Sequence, residues 1–139
     1  MAVGELQVLL ELRLKDFADS GGYPVAWENI PFDPQKHKGK VWLRPYLLMA
    51  EESMHLLNGS DGKARGIYQI DVLIPLGEGR SRMTNAMDKL REYFPKGLVL
   101  KGNRVNAAVL SLKHGATTTD EPPHCKRRLD IHFLAFLAG

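Results

Sequence analysis

Residues 66–79, Gly-Ile-Tyr-Gln-Ile-Asp-Val-Leu-Ile-Pro-Leu-Gly-Glu-Gly, restrict the fold more than any other stretch of the chain. Side chains alternate between the two sides of an extended strand, so Tyr68, Ile70, Val72 and Ile74 share one face. Ile67, Gln69, Asp71 and Leu73 share the other, and that mixed face predicts partial exposure or contact with another chain. Pro75 and the glycines after it end the strand. A helix is predicted from Ser81 to Phe94, because Met83, Met87, Leu90 and Phe94 recur at helical spacing with Ala86 beside them. Pro95 and Gly97 stop it. The chain is thus committed to a half-buried strand that turns at once into an amphipathic helix.

The flanking segments extend this pattern. Residues 5–19 carry Leu6, Leu9, Leu10, Leu14 and Phe17 mostly on one stripe, which predicts an N-terminal helix. Glu11 and Lys15 are spaced for an i, i+4 ion pair, and Ser20-Gly21-Gly22 supplies the stop. After a short extended piece at 25–28, residues 29–40 hold Pro31, Pro34 and Gly39 and read as an exposed loop. Val41–Met49 reads as a strand with Trp42, Arg44 and Tyr46 on one side. Pro45 within it implies an edge position or a bulge, since proline lacks the N–H a central ladder requires. Residues 51–65 read as the end of a strand followed by a flexible tip around Asn58-Gly59-Ser60-Asp61-Gly62. Residues 98–101 and 104–113 form a hairpin around Gly102-Asn103, residues 114–123 a loop, and residues 126–137 a last strand. In that strand Leu129, Ile131, Phe133 and Ala135 point inward, and Arg128, Asp130 and His132 outward. Strands joined by short turns pair mainly antiparallel, and two amphipathic helices cover one sheet face. The expected class is therefore α+β, a two-layer single domain over residues 1–139.

Composition narrows the function. Apolar residues make up 44% of the chain, enough for a core, and 25% are charged. The net charge is +3, but the Lys and Arg residues are scattered, with one short cluster at Lys126-Arg127-Arg128. The single cysteine, Cys125, rules out an intrachain disulfide and fits a reducing compartment. Glu5, Glu11 and Arg13 interrupt any apolar leader, and no uncharged run nears the ~18 residues that span a bilayer, so no membrane association is expected.

Sites of chemistry are sparse. Gly77-Glu78-Gly79-Arg80-Ser81 lies where a phosphate loop would, yet Arg82 replaces the third glycine of a dinucleotide fingerprint and the Gly-Lys-Ser/Thr of a nucleotide loop is missing. Arg80 and Arg82 at the helix start suit at most weak anion contact. His124, Cys125, Asp130 and His132 meet none of the zinc spacings, and the adjacent His124 and Cys125 point apart in extended chain. No catalytic, cofactor or metal site is expected. Trp42, Arg44 and Tyr46 admit three readings: half-buried strand residues, a protein interface rich in hot-spot residue types, or a stacking platform for single-stranded nucleic acid.

The order of the motifs carries a resemblance. Trp27-Glu-Asn-Ile-Pro-Phe-Asp-Pro, then Trp42-Leu-Arg, then Arg65-Gly-Ile-Tyr-Gln-Ile-Asp-Val-Leu-Ile-Pro-Leu-Gly-Glu-Gly, resemble the tail-terminator (tail-completion) proteins of long-tailed bacteriophages. The resemblance covers nearly the whole chain and departs in the loops at 31–40, 51–65 and 114–124. It implies a non-enzymatic virion protein, made in the host cytoplasm and resident in the tail. It further implies a ring, typically a hexamer, that ends the tail tube, stops its polymerisation and receives the head connector, with DNA passing through the lumen. The partners implied are further copies of the chain, the tube protein and the connector. Arg65, Gln69 and Asp71 are marks of this resemblance. With Trp42, Arg44, Tyr46, Arg80, Arg82, Lys126, Arg127 and Arg128 they are the interaction candidates. A head–tail connector or neck component is the alternative, and a small nucleic-acid-binding module a third reading.

Overall fold

The computed structural model describes residues 2–59, 61–77, 80–121 and 123–138. Helix α1, Ala2–Gly21, buries Leu6, Leu10, Leu14, Phe17 and Ala18, the stripe its spacing dictates. It ends where Gly22 takes a φ of 72°, a left-handed turn that glycine adopts without a Cβ penalty. Lys15 pairs with Asp19 at 2.7 Å rather than with Glu11.

Strand β1, Trp42–Leu48, follows the loop, whose only regular piece is a 3-10 turn at Pro34–His37 capped by Asp33. Helix α2, Glu51–Asn58, replaces the expected strand end and flexible tip. Glu51 and Glu52 fit its positive N-terminal end, and Leu57 is buried against the same core as α1. The turn-forming cluster marks the helix stop, where the Gly62 N–H donates to the Leu56 carbonyl at 2.9 Å. Helix α3, Ser81–Tyr93, stands as the sequence predicts, and strand β2, Lys63–Pro75, contains the expected strand but begins three residues before it, inside the segment read as a flexible tip. Strands β3 (Val99–Lys101) and β4 (Val105–His114) form the expected hairpin. The 114–123 loop contains a further strand, β5 (Thr118–Glu121), folded back on β6 (His124–Leu137).

All strand pairs are antiparallel, in the order β1-β2-β6-β4-β3 with β5 also beside β6. The face made by Tyr68, Ile70, Val72, Ile74, Leu129, Ile131 and Phe133 is covered by α1 and by the Met83, Met87, Leu90 and Phe94 stripe of α3. The fold is α+β in two layers. Two polar ties fix α1 to this layer. The Glu5 carboxylate accepts from the Asn103 and Arg104 N–H groups at 2.8 and 3.1 Å, and Arg13 donates to the Tyr93 carbonyl at 2.7 Å.

Strand β1 is an edge, as Pro45 implies, and the edge is closed. Leu43 gives its N–H to the Pro24 carbonyl and takes one from Ala26, at 2.9 and 2.8 Å. Pro45 has no N–H, and the Leu47 N–H is held by the Glu28 carboxylate at 3.2 Å. The strand therefore offers little for another strand to pair with.

Candidate functional site

The second face of the sheet lies away from the core that α1 and α3 cover, with Ala50 and Met54 at the start of α2 flanking its Leu48, Ile67, Arg65 and His132, and the strand register sets its side chains in rows. One row is Arg44, Asp71 and Arg128; the next is Tyr46, Gln69, Asp130 and Lys113. Beyond them lie Leu48, Ile67 and His132, then Arg65, Leu134, Ala108 and Val99, then Lys63 and Phe136. Charge thus gathers at mid-sheet and apolar side chains at one end, with Lys63 and Arg65 beside them.

Asp71 anchors the charged rows. It is 1% exposed and accepts from Arg44 Nη2 at 3.0 Å and from Arg128 Nε at 3.1 Å, so one carboxylate joins β1, β2 and β6. Arg44 also lies between the rings of Trp42 and Tyr46, 5.9 and 5.8 Å from their centroids. Gln69 Nε2 donates to Asp130 at 3.1 Å, which joins the same two central strands one row away.

The end of this face beyond Arg44 is closed. Trp42 is 5% exposed, with the Phe32 ring 4.7 Å away, His37 stacked on Phe32, and His124 edge-on at 5.4 Å. Trp42 and Asp71 therefore act inside the folded chain, and no Trp42 face is left on which a base would stack. Arg44, Tyr46, Arg65, Gln69, Lys126 and Arg128 come together on the bare face. Arg127 sits at the opposite register and donates to the Gly115 carbonyl at 2.9 Å. Arg80 and Arg82 lie apart at the start of α3, where Arg82 donates to the Gly39 carbonyl. Glu78 and Gly79 fall outside the described residues.

A feature with no counterpart among the candidate residues lies between α1 and the segment beside the β1 edge. Val8 and Leu12 belong to α1 but stand outside its buried stripe, 51% and 59% exposed. With Trp27 and Ile30 they line a furrow of about 470 Å³ that also holds Glu11 and Glu28. Asn29, at a φ of 60°, turns the chain there, and Ile30 is left exposed. Burial raises the Glu11 carboxyl above its usual range, a bond from Gln7 opposes this, and the neighbouring Glu28 adds to the rise. The signal available in the sequence was the pair Val8 and Leu12, one turn apart and off the Leu6-Leu10-Leu14 stripe.

Beneath the sheet, the Tyr68 hydroxyl is buried and has no hydrogen-bond partner among the described residues. Burial, and then the charges of Glu11 and Glu28, push its ionisation far above the ordinary tyrosine range.

Known proteins place this arrangement. The sequence family described as phage tail terminator protein matches residues 5–127. One solved chain is 25% identical with a TM-score of 0.75, over 100% of this chain and 97% of its own length. Another, from the virion of a native gene transfer agent particle, has a TM-score of 0.55 at 18% identity, over 99% of this chain and 97% of its own. The second likeness is one of fold alone. No curated protein matches the chain.

Proposed function

The chain belongs to the phage tail terminator family, and from that premise we propose that it caps the finished tail tube, ends its polymerisation and offers the surface on which the head is joined. The observation that carries this reading is the family match across residues 5–127, which takes in every element but the first turn of α1 and most of β6, from Arg128 on. On this reading the protein is a structural component of the virion tail, assembled from the host cytoplasm, and makes no covalent change to a substrate. It acts as a ring, six-membered as in the relatives the sequence resembles, with the tube protein on one side, the connector on the other and DNA passing through the lumen.

The surface described above supports this reading. A ring needs two different patches that fit each other, because each copy meets the next head to tail. A bare sheet face and a separate apolar furrow supply two such patches. A closed β1 edge favours contact through side chains over strand addition, which protects free subunits from uncontrolled pairing. Neighbours held on a tail end meet at high effective concentration, so weak contacts suffice there and a dilute monomer is compatible with the role.

The test is deletion of the coding sequence from an intact prophage, followed by electron microscopy of the lysate. Overlong tails, or tails without heads, are expected. Normal tails joined to heads would end the proposal.

A further inference from the structure

We infer that the acidic furrow between α1 and residues 27–30 of one copy receives the apolar end of the bare sheet face of the next copy, a pairing that rests on the ring reading above. The two surfaces are separate patches of a two-layer domain: the sheet face looks away from the core that α1 and α3 cover, and the furrow lies between α1 and the segment that closes the β1 edge, where Glu28 accepts from the Leu47 N–H. Both expose large apolar groups, Leu12 and Ile30 on one side and Leu48 on the other. Leu134 and Phe136 continue the sheet patch by register.

Their charges are opposite. The furrow holds Glu11 and Glu28, and the apolar end of the sheet is bordered by Lys63 and Arg65. Lys15 is the one cation among the residues lining the furrow, and it is turned to Asp19 at 2.7 Å. The Glu11 carboxyl is held in its protonated form more readily than usual by burial, with Glu28 adding to it. A cation from a neighbour relieves that repulsion, and a second copy brings one on Arg65. Two furrows repel each other, and so do two sheet faces, which leaves the head-to-tail arrangement as the favoured one. Repetition of one unlike contact closes into a ring when the rotation allows it.

A crosslink reads the contact directly. In a Cys125→Ser background, Leu12→Cys together with Leu134→Cys, treated with a short bis-thiol reagent on assembled tails, should give a ladder of multimers, whereas either cysteine alone should not. A charge exchange provides the second reading. Glu11→Arg and Arg65→Glu should each weaken self-association, read by sedimentation up to millimolar protein and by occupancy of tail ends, by about tenfold or more. The two changes in one chain should restore association to within about threefold of the original, as expected if the two groups face each other. If tails are capped normally but no ladder forms and both single variants associate like the parent, the pairing is wrong and the terminator reading stands. If the parent fails to associate even on isolated tails, the pairing also falls. The prophage deletion decides the terminator reading separately.

Discussion

A single carboxylate shows how far a residue's position can differ from its role. The alternation of residues 66–74 places Asp71 on the mixed face, and that much was legible in the sequence. Its near-complete burial was not, because the groups around it come from strands distant in the chain, Arg44 on β1 and Arg128 on β6. Replacing Asp71 by Asn removes a charge that two guanidinium groups share. Since Arg44 and Arg128 keep 22% and 44% of their side-chain exposure, water recovers part of the loss. A fall of about 2–3 kcal/mol in urea unfolding is expected, below the full cost of a wholly buried ion pair. Arg128→Gln should cost less, because Arg44 still holds the carboxylate. Tyr68 behaves in the opposite way. Its hydroxyl has no partner among the described residues, so Tyr68→Phe should leave stability unchanged or raise it by up to about 1 kcal/mol. The sign of its pH dependence follows from the raised ionisation. Below about pH 10, folded and unfolded chains both keep the phenol proton, and above it only the folded chain does. The unfolded state then binds fewer protons, so stability falls as pH rises. Chemical denaturation at pH 9 and at pH 11 should show a loss that Tyr68→Phe reduces; an identical loss in both proteins would contradict it.

At the scale of elements, legibility followed the strength of the periodic signal. Helices α1 and α3 and strands β2 and β6 each present an apolar stripe or alternation long enough to fix their type. Helix α2 was hidden because it is short, and because the Asn58–Gly62 turn cluster suggested a loop rather than a helix stop. Strand β5 was hidden because its partner, β6, supplies the pairing that its four residues do not specify. Gly66 has a reason only the fold reveals. A Cβ there would lie 2.8 Å from the Phe133 ring and 2.9 Å from Met49 Cγ, so Gly66→Ala should cost about 1–3 kcal/mol through overpacking. A shift in the urea midpoint with an unchanged slope would bear this out, and no shift would show that Phe133 and Met49 yield freely. The guarded edge of β1 makes a separate prediction. Pro45→Val with Glu28→Ala exposes the N–H groups of residues 45 and 47 on a strand edge. That variant should form thioflavin-positive aggregates at concentrations where the parent remains clear. Equal clarity would mean that the contacts of residues 24–26 with Leu43 protect the edge alone.

Across the whole molecule, strand order converts scattered charge into a sided distribution. The bare sheet face holds seven Lys or Arg residues and two Asp among the described side chains, while the chain as a whole is only +3. The excess is therefore offset elsewhere, and residues 2–33, which include α1 and the furrow, hold six acidic residues against two basic ones. The sequence shows the acidic N-terminal part directly. It does not show that β6 lies between β2 and β4, and this order is what gathers Arg65, Lys113, Lys126 and Arg128 on one surface. Such a distribution separates folding from assembly. The core is apolar, with Asp71 as the buried charge recorded among the described residues, so salt should alter unfolding little. Contact between copies pairs exposed charges, which salt screens. Raising ionic strength from about 0.1 to 1 M shortens the screening length from about 10 to about 3 Å. Self-association, measured by sedimentation, should therefore weaken by about tenfold or more over that range while the urea midpoint changes little. The apolar strips set the part of the contact that salt does not remove, since high salt does not weaken the burial of Leu12, Ile30 and Leu48. An association that is unchanged or stronger in high salt would assign the whole contact to those strips, and the opposed charges would then have no part in setting its direction.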